Sequence, residues 1–169
     1  TLGTPNKPKL TTGLTPVNWN GTKFEETTEN NWKYNYNQET KQTTGNLEGD
    51  GNGAWANAKT ADGSMYVWIP RYTYKITGGY HTNKYSWSAD TPGESKIEIK
   101  FSNGTIDDTT DDYIVHPAFT FGKDENGNLV ELTGIWVMKY EASKGENNTP
   151  KSVPNVVSWG SINVSSIFT

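Results

Sequence analysis

The sequence predicts a mainly β protein, a β-rich α+β fold with antiparallel sheets joined by long loops. The most direct indication is residues 64–76, where aromatic and β-branched residues alternate with the period of a strand. Residues 17–62 are rich in Asn, Thr and Gly, which are poor helix formers. The hydrophobic content is only 32%, but it includes 7 Trp, 9 Tyr and 5 Phe, whose large side chains can each bury a large area in a core.

The 169 residues suit one ordinary domain preceded by an irregular segment. Residues 1–16 carry three prolines and two glycines, and they are predicted to be an extended lead-in or an edge strand. Residues 17–169 are predicted to form a single β-rich domain, with a short helical turn at residues 54–58. Because the chain starts without Met and ends within a strand-like segment, we expect a trimmed chain and a domain truncated at its C-terminus.

Residues 64–76 form the strongest predicted strand. Successive side chains of a strand point to opposite faces, so the segment has two different faces. One face is predicted to carry Tyr66, Trp68, Tyr72, Tyr74 and Ile76. The other is predicted to pass from buried Met65, Val67 and Ile69 to solvent-facing Arg71, Thr73 and Lys75. Pro70 lacks a backbone donor and predicts a bend, a bulge or an edge.

The rest of the chain contains further strand signals. Strands are predicted at residues 96–101, at 113–121 with a break at Pro117, at 129–140 with a bulge at Gly134, and at 153–169. In the first of these, Ile97, Ile99 and Phe101 are predicted to point inward. The Asn126-Gly127 pair predicts a hairpin turn. The aromatic residues predicted for the core are Trp68, Trp136, Phe119 and Phe121.

Composition excludes several classes of function. The net charge is −4 and Arg71 is the only arginine, so nucleic-acid binding is not expected. The sequence contains no run of 18 apolar residues, so no membrane span is predicted. The absence of cysteine excludes disulfides, thiolate metal sites and thiol nucleophiles. The surplus of Thr, Asn and Gly favours an extracellular location.

Oxygen-rich turns are the candidate metal sites. Calcium binds carboxylate and amide oxygens, and two segments could supply several. The candidate ligands are Asp107, Asp108, Asp111, Asp112, Asp124, Asn126 and Asn128. A solvated loop is the favoured alternative for the first segment and a plain hairpin turn for the second. His81 and His116 lie in unrelated contexts, so no histidine site is expected, and calcium is the one cofactor considered.

No catalytic motif is present. The sequence lacks a nucleophile elbow and a phosphate-binding glycine loop, so the chain is expected not to be an enzyme. Aromatic residues in polar loops are the remaining candidates, because exposed rings bind sugars by stacking. These candidate ligand-binding residues are Trp19, Trp32, Tyr80 and Trp87, and a glycan is the ligand considered.

Several motifs, taken in their order along the chain, resemble a family of surface proteins from Gram-positive bacteria and their prophages. These proteins are either prepilin-like or tail-associated. The motifs are residues 55–58, 66–72, 113–119, 132–143 and 151–155 with Ser158-Trp159. The strand from Trp136 to Ser143 also resembles the opening strand of formylglycine-generating-enzyme modules. That resemblance implies the N-terminal half of a C-type-lectin-like fold. The related modules continue past the end of this chain, and the copper-binding cysteines of the enzyme branch are absent.

The expected function is that of a non-enzymatic extracellular surface or filament (pilin-like) module for attachment or assembly. The alternatives are a phage-tail or virion receptor-binding module and a degenerate formylglycine-generating-type oxidase. The expected partners are copies of the chain itself or another surface protein, because unpaired sheet edges accept strands from other chains. The location expected is the cell surface, or a virion for the first alternative.

Overall fold

The computed structural model describes residues 6–34, 55–78, 96–101 and 113–161. This part of the chain is mainly β, with antiparallel sheets and three short 3₁₀ helices at Glu29–Asn31, Pro117–Phe119 and Glu146–Asn148. The strands are β1 (Thr15–Trp19), β2 (Phe24–Glu26), β3 (Asn57–Lys59), β4 (Met65–Pro70), β5 (Tyr72–Gly78), β6 (Lys96–Phe101), β7 (Ile114–Val115), β8 (Thr120–Lys123), β9 (Leu129–Glu131), β10 (Gly134–Met138), β11 (Ser143–Lys144) and β12 (Pro150–Lys151). None of the described helices is long and apolar enough to cross a membrane.

The chain divides into two compact units, which we name by their main sheets. The five-stranded unit contains the described residues 9–34, 55–68 and 136–161. The three-stranded unit contains the described residues 6–8, 69–78, 96–101 and 113–135.

The main sheet of the five-stranded unit has the order β10-β4-β3-β1-β2. β1 therefore pairs on both sides, with Val17 opposite Glu26 of β2 and Asn57 of β3. The turn between β1 and β2 forms because the Asn20 side chain accepts hydrogen bonds from the backbone of Thr22 and Lys23. Of the predicted lead-in, residues 6–14 contain no strand and the last two residues begin β1.

The core of the five-stranded unit combines small and large apolar residues. Trp68 is only 4% exposed, which confirms its predicted core position. Val17, Ala56, Ala58 and Met65 are buried as well. The two alanines lie in and beside β3, so the helical turn predicted at residues 54–58 is wrong for its described part. Pairing of β3 with both β1 and β4 determines this conformation, which local propensity did not predict.

A serine network holds the C-terminal segment onto the start of β4. Met65 N donates to Ser152 O at 2.7 Å, and Ser152 N donates to the Ser64 hydroxyl at 3.2 Å. The Ser152 hydroxyl donates to Tyr140 O, and Tyr140 N donates back to that hydroxyl. Both serines are buried, so the network satisfies polar groups that would otherwise be costly to bury.

The three-stranded unit contains a sheet of order β6-β5-β7 and the hairpin β8-β9. Phe101 and Phe119 are buried, both as predicted. Arg71 is only 2% exposed, and its Nη1 lies 2.6 Å from a carboxylate oxygen of Glu131. Thr73 is fully buried. The prediction that Arg71 and Thr73 face solvent is wrong, because an ion pair and the neighbouring strands bury them.

The strand predicted at residues 64–76 is two strands that belong to different sheets. β4 ends at Pro70 and β5 begins at Tyr72, so the interruption expected at Pro70 is present. The strand predicted at 129–140 is likewise divided into β9 and β10. Leu132 and Thr133 lie between them and bond to Phe119 and Arg71 instead of continuing a ladder.

Other predictions are corrected by the structure. The strand at residues 96–101 is confirmed, but Ile97 and Ile99 are exposed rather than inward-facing. Phe121 is 74% exposed and does not belong to the core. The segment predicted at 113–121 consists of β7, a 3₁₀ helix and the start of β8. Residues 153–161 contain no strand, and the rest of that predicted strand lies outside the described residues.

Candidate functional site

Four isoleucines lie on one face of the sheet β6-β5-β7, and we call them the isoleucine face. Their exposed fractions are 41% for Ile76, 56% for Ile97, 40% for Ile99 and 55% for Ile114. The register explains why they share a face: Ile76 is opposite Ile97, while Tyr74 is opposite both Ile99 and Ile114. Isolated exposed apolar residues are common on proteins, whereas these four lie together on one sheet face.

The opposite face of this sheet is polar. There the Tyr113 hydroxyl donates to a Glu98 carboxylate oxygen at 2.6 Å, and the Lys100 ammonium lies 5.9 Å from the Tyr113 ring centre. Thr73, buried on the same face, donates to Lys100 O at 3.3 Å. The sheet therefore has internal polar contacts on one face and exposed isoleucines on the other.

Aromatic rings close one end of the isoleucine face. The Tyr72 ring packs edge-on against Phe119, with centroids 5.2 Å apart, and against Phe101. His116 packs against the Tyr72 and Tyr74 rings, and its Nδ1 accepts a hydrogen bond from Ala118 N. This histidine caps the 3₁₀ helix and packs among aromatic rings.

An aromatic cluster occupies the five-stranded unit. The Trp32 and Trp136 rings stack nearly parallel, at 10° and 6.0 Å between centroids, and Trp136 packs edge-on against Trp68. Trp136 is half-buried, and its Nε1 donates to Lys9 O. The Trp32 indole donates to Asn57 O at 3.0 Å. Trp32, a predicted ligand-binding residue, thus contributes to internal packing while keeping part of its surface exposed.

Trp19, the second described ligand-binding candidate, packs against Phe24 with centroids 5.0 Å apart. Trp19 and Trp32 pack against different rings, so they belong to separate aromatic groups. Tyr80 and Trp87 lie outside the described residues.

Lys139 is half-buried beside Phe24 and Asn57 in the five-stranded unit. Its Nζ donates to Asn57 Oδ1 at 2.9 Å and lies 5.0 Å from the centre of the Phe24 ring. Burial lowers the pKa of Lys139 below its ordinary value, because the charged ammonium loses hydration. Among the described residues, Lys139 has no ion pair with a carboxylate. Sequence reasoning did not select this lysine.

The Asp124 carboxylate organises the β8-β9 turn. It accepts hydrogen bonds from the backbone of Asn126 and Asn128 and from the Asn128 side chain. These bonds lower the pKa of Asp124, the bond from Asn128 N most of all. Gly127 has a φ of +83°, as the turn requires. This geometry is the hairpin turn that the Asn126-Gly127 pair predicted, and it contains the candidate ligands Asp124, Asn126 and Asn128.

The other calcium candidates, Asp107, Asp108, Asp111 and Asp112, lie outside the described residues. In the part of the chain that the structure describes, no three His, Cys, Asp or Glu side chains are grouped as a metal site would require.

Comparisons of this chain with protein-family models, with curated proteins and with solved structures find no match.

Two features were missed at the sequence level. One feature of the sequence pointed to an ion pair of Arg71: it is the only arginine in a chain with 19 acidic residues, which offer many potential partners. The contact between Lys139 and Asn57 had none, because 82 residues separate the pair.

Proposed function

We propose that this protein is a non-enzymatic extracellular module that acts by association, as a surface or filament component that binds further copies of itself. The observation that carries this proposal is the isoleucine face, which leaves four β-branched apolar side chains in contact with water. Covering them would remove apolar surface from solvent, and each Å² covered is worth about 25 cal/mol before the costs of association. The Thr-, Asn- and Gly-rich, cysteine-free composition supports the extracellular location.

The strand β6 offers the route to a second copy. Among the described strands it is an edge of its sheet, pairing only with β5, and an edge can accept another strand. An antiparallel pair of two β6 strands has a two-fold axis, and its register is defined by the residue at that axis. The charges of β6 distinguish between the registers.

A register centred on Ile99 is self-complementary. It places Glu98 opposite Lys100 of the second copy, and by symmetry repeats this attractive pair. It also places the Ile99 side chains of the two copies beside each other and Ile97 beside Phe101, so that these cross-strand neighbours cover part of each other's apolar surface. A register centred on Glu98 would instead place two glutamates opposite each other and Lys96 opposite Lys100. Like charges directly opposite are destabilising, so the Ile99 register is favoured.

Charge reversal tests this register. Glu98→Lys places lysines opposite lysines, and Lys100→Glu places glutamates opposite glutamates, so each variant alone should raise the dissociation constant about tenfold or more. An equimolar mixture of the two variants restores opposite charges at both pairs and should associate again. Sedimentation over a concentration series measures all three samples. Glu125→Lys, on the exposed β8-β9 turn, is the matched control for a change of charge.

Apolar substitutions test the isoleucine face itself. Ile97→Ser with Ile99→Ser should abolish association, while Leu129→Ser, which changes an equally exposed residue on another hairpin, should not. Circular dichroism of each variant verifies that the fold is retained. A wild-type chain that stays monomeric at every concentration would refute association through this face. Association that is indifferent to both charge reversals would refute the Ile99 register.

A further inference from the structure

Two Asn-Gly pairs lie in the part of the chain that the structure describes, Asn20-Gly21 between β1 and β2 and Asn126-Gly127 between β8 and β9. An asparagine before glycine can react with its own backbone, because a glycine nitrogen has no side chain beside it to block attack on the asparagine amide. Both glycines are exposed, so exposure does not distinguish the two pairs. Their hydrogen bonds do.

The side-chain oxygen of Asn20 is held by two backbone N–H groups. Oδ1 accepts from Thr22 N at 3.0 Å and from Lys23 N at 2.9 Å. The first of these bonds closes a ring of atoms that includes Gly21 N, so the side-chain carbonyl is held near this nitrogen. Both bonds also stabilise the negative oxygen that forms when a nucleophile adds to Cγ, as the donors of an oxyanion hole do.

The side-chain nitrogen of Asn20 points toward Glu25. Hydrogen bonds lower the pKa of this carboxyl, the bond from Lys23 most of all and the bond from Asn20 next. The amide is therefore oriented with its oxygen toward the backbone of the turn and its nitrogen, which leaves in the reaction, toward an exposed carboxylate.

The two glycine nitrogens differ in their own hydrogen bonds. Among the described residues, none accepts a hydrogen bond from Gly21 N. Gly127 N instead donates to Asp124 O at 3.0 Å, and this bond has to break before Gly127 N can attack Asn126. The fold thus activates the amide of one pair and protects the nucleophile of the other.

We propose that Asn20 is a modification site at which the folded chain converts asparagine into aspartate and isoaspartate. Gly21 N loses its proton to a base in the solvent and bonds to Asn20 Cγ. The bond from Cγ to Nδ2 breaks, Nδ2 takes up a proton and leaves as ammonia, and a succinimide ring remains. Water then adds to either ring carbonyl and opens the ring. No electrons are gained or lost, and the reaction consumes one water for each ammonia released.

The product carries a new negative charge beside β2. Among the described strands, β2 is an edge of its sheet, and it already contains Glu25 and Glu26. Charges on an edge strand oppose pairing with another strand, so the modification strengthens this protection. The aspartate form can keep the turn, because its carboxylate accepts the same two backbone bonds. The inference does not depend on association through the isoleucine face.

Peptide mapping of the full chain, incubated either folded or in urea at the same pH and temperature, tests the proposal. In urea the two Asn-Gly pairs should react at similar rates, since glycine follows both asparagines. In the folded chain the ratio of the rate at residue 20 to that at residue 126 should rise about fivefold or more, because a hydrogen bond protects Gly127 N. A ratio that does not rise on folding would overturn the proposal.

Two variants and the identity of the product complete the test. Asn20→Gln has a longer side chain that closes the ring more slowly, so residue 20 should stay unmodified while residue 126 reacts as in the wild type. Asn126→Gln is the matched control and should leave the rate at residue 20 unchanged. Circular dichroism verifies the fold of both. Isoaspartate at residue 20 is expected, because only the ring yields it, and a product containing aspartate alone would contradict the mechanism.

Discussion

The two units of this protein treat their apolar surface in opposite ways. The five-stranded unit packs its large rings against one another, and Trp68 is almost completely buried beneath Trp136. The three-stranded unit buries an ion pair between Arg71 and Glu131 but leaves four isoleucines of its sheet exposed. Buried rings contribute to the stability of a chain by itself, whereas exposed isoleucines gain free energy only when something covers them.

This difference indicates a division of roles. The five-stranded unit is stabilised by aromatic packing and by the hydrogen bonds of the buried residues Ser64 and Ser152. The three-stranded unit buries Phe101 and Phe119 and uses a charged pair in its interior. Substitutions in the two units should therefore change the free energy of unfolding by different amounts.

The largest effect is expected for Trp68→Ala. Removing a buried ring leaves a cavity, so the free energy of unfolding should fall by about 3–5 kcal/mol. Urea denaturation followed by tryptophan fluorescence measures the change. Val157→Ala in the same unit is the control, since Val157 is 90% exposed and the substitution should cost less than about 0.5 kcal/mol. Unchanged stability in Trp68→Ala would mean that the ring is not part of the core.

Arg71→Met should have the next largest effect. It leaves the Glu131 carboxylate without its guanidinium partner, and loss of one partner of a buried pair costs about 3 kcal/mol. Thermal unfolding should give a lower midpoint, and the double variant Arg71→Met with Glu131→Gln should recover part of it. Lys59→Met breaks the exposed pair with Glu26 and should cost at most about 1 kcal/mol. Equal losses from the two pairs would contradict this ranking.

A smaller effect is expected from acid in the five-stranded unit. Hydrogen bonds from Thr60 and Ser64 lower the pKa of Asp62 below 3.8, the Thr60 bond most of all. A folded-state pKa below the unfolded value stabilises the protein above about pH 4, and this contribution is lost as the pH falls through the lowered pKa. Asp62→Asn should flatten the acid side of a stability profile measured by urea denaturation. A profile identical to that of the wild type would exclude Asp62 as a contributor.

The smallest effect on stability is expected for Phe121→Ser. The ring is 74% exposed, so the free energy of unfolding should change by less than about 0.5 kcal/mol. Differential scanning calorimetry compares this variant with Phe119→Ser. Phe119 is buried in the same unit, so its loss should lower the melting temperature strongly. A large loss from both would show that Phe121 is covered in solution.

Much of the local structure could be predicted from short-range patterns. The period-two alternation located β4, β5 and β6, and the Asn126-Gly127 pair located the β8-β9 turn. The interruption at Pro70 followed from its missing donor. The candidate sites were harder, because a pattern of aromatic and oxygen-bearing residues does not say which of them meet. Trp32 and Asp124 are both used within the fold, the first in packing and the second in a turn.

The sequence by itself determined what depends on neighbours along the chain: the mainly β class, the strands β4, β5 and β6, the hairpin turn and the exclusion of thiol chemistry. Only the tertiary structure decided which face of each strand is covered. The alternation of side chains along β6 places Ile97 and Ile99 on one face and Glu98 on the other, but it does not show which face packs against the rest of the protein. Burial of Arg71 depends on Glu131, 60 residues later, and the Lys139 amine meets Asn57 across 82 residues. Such contacts arise from strand pairing between distant segments, and local propensity carries no information about them.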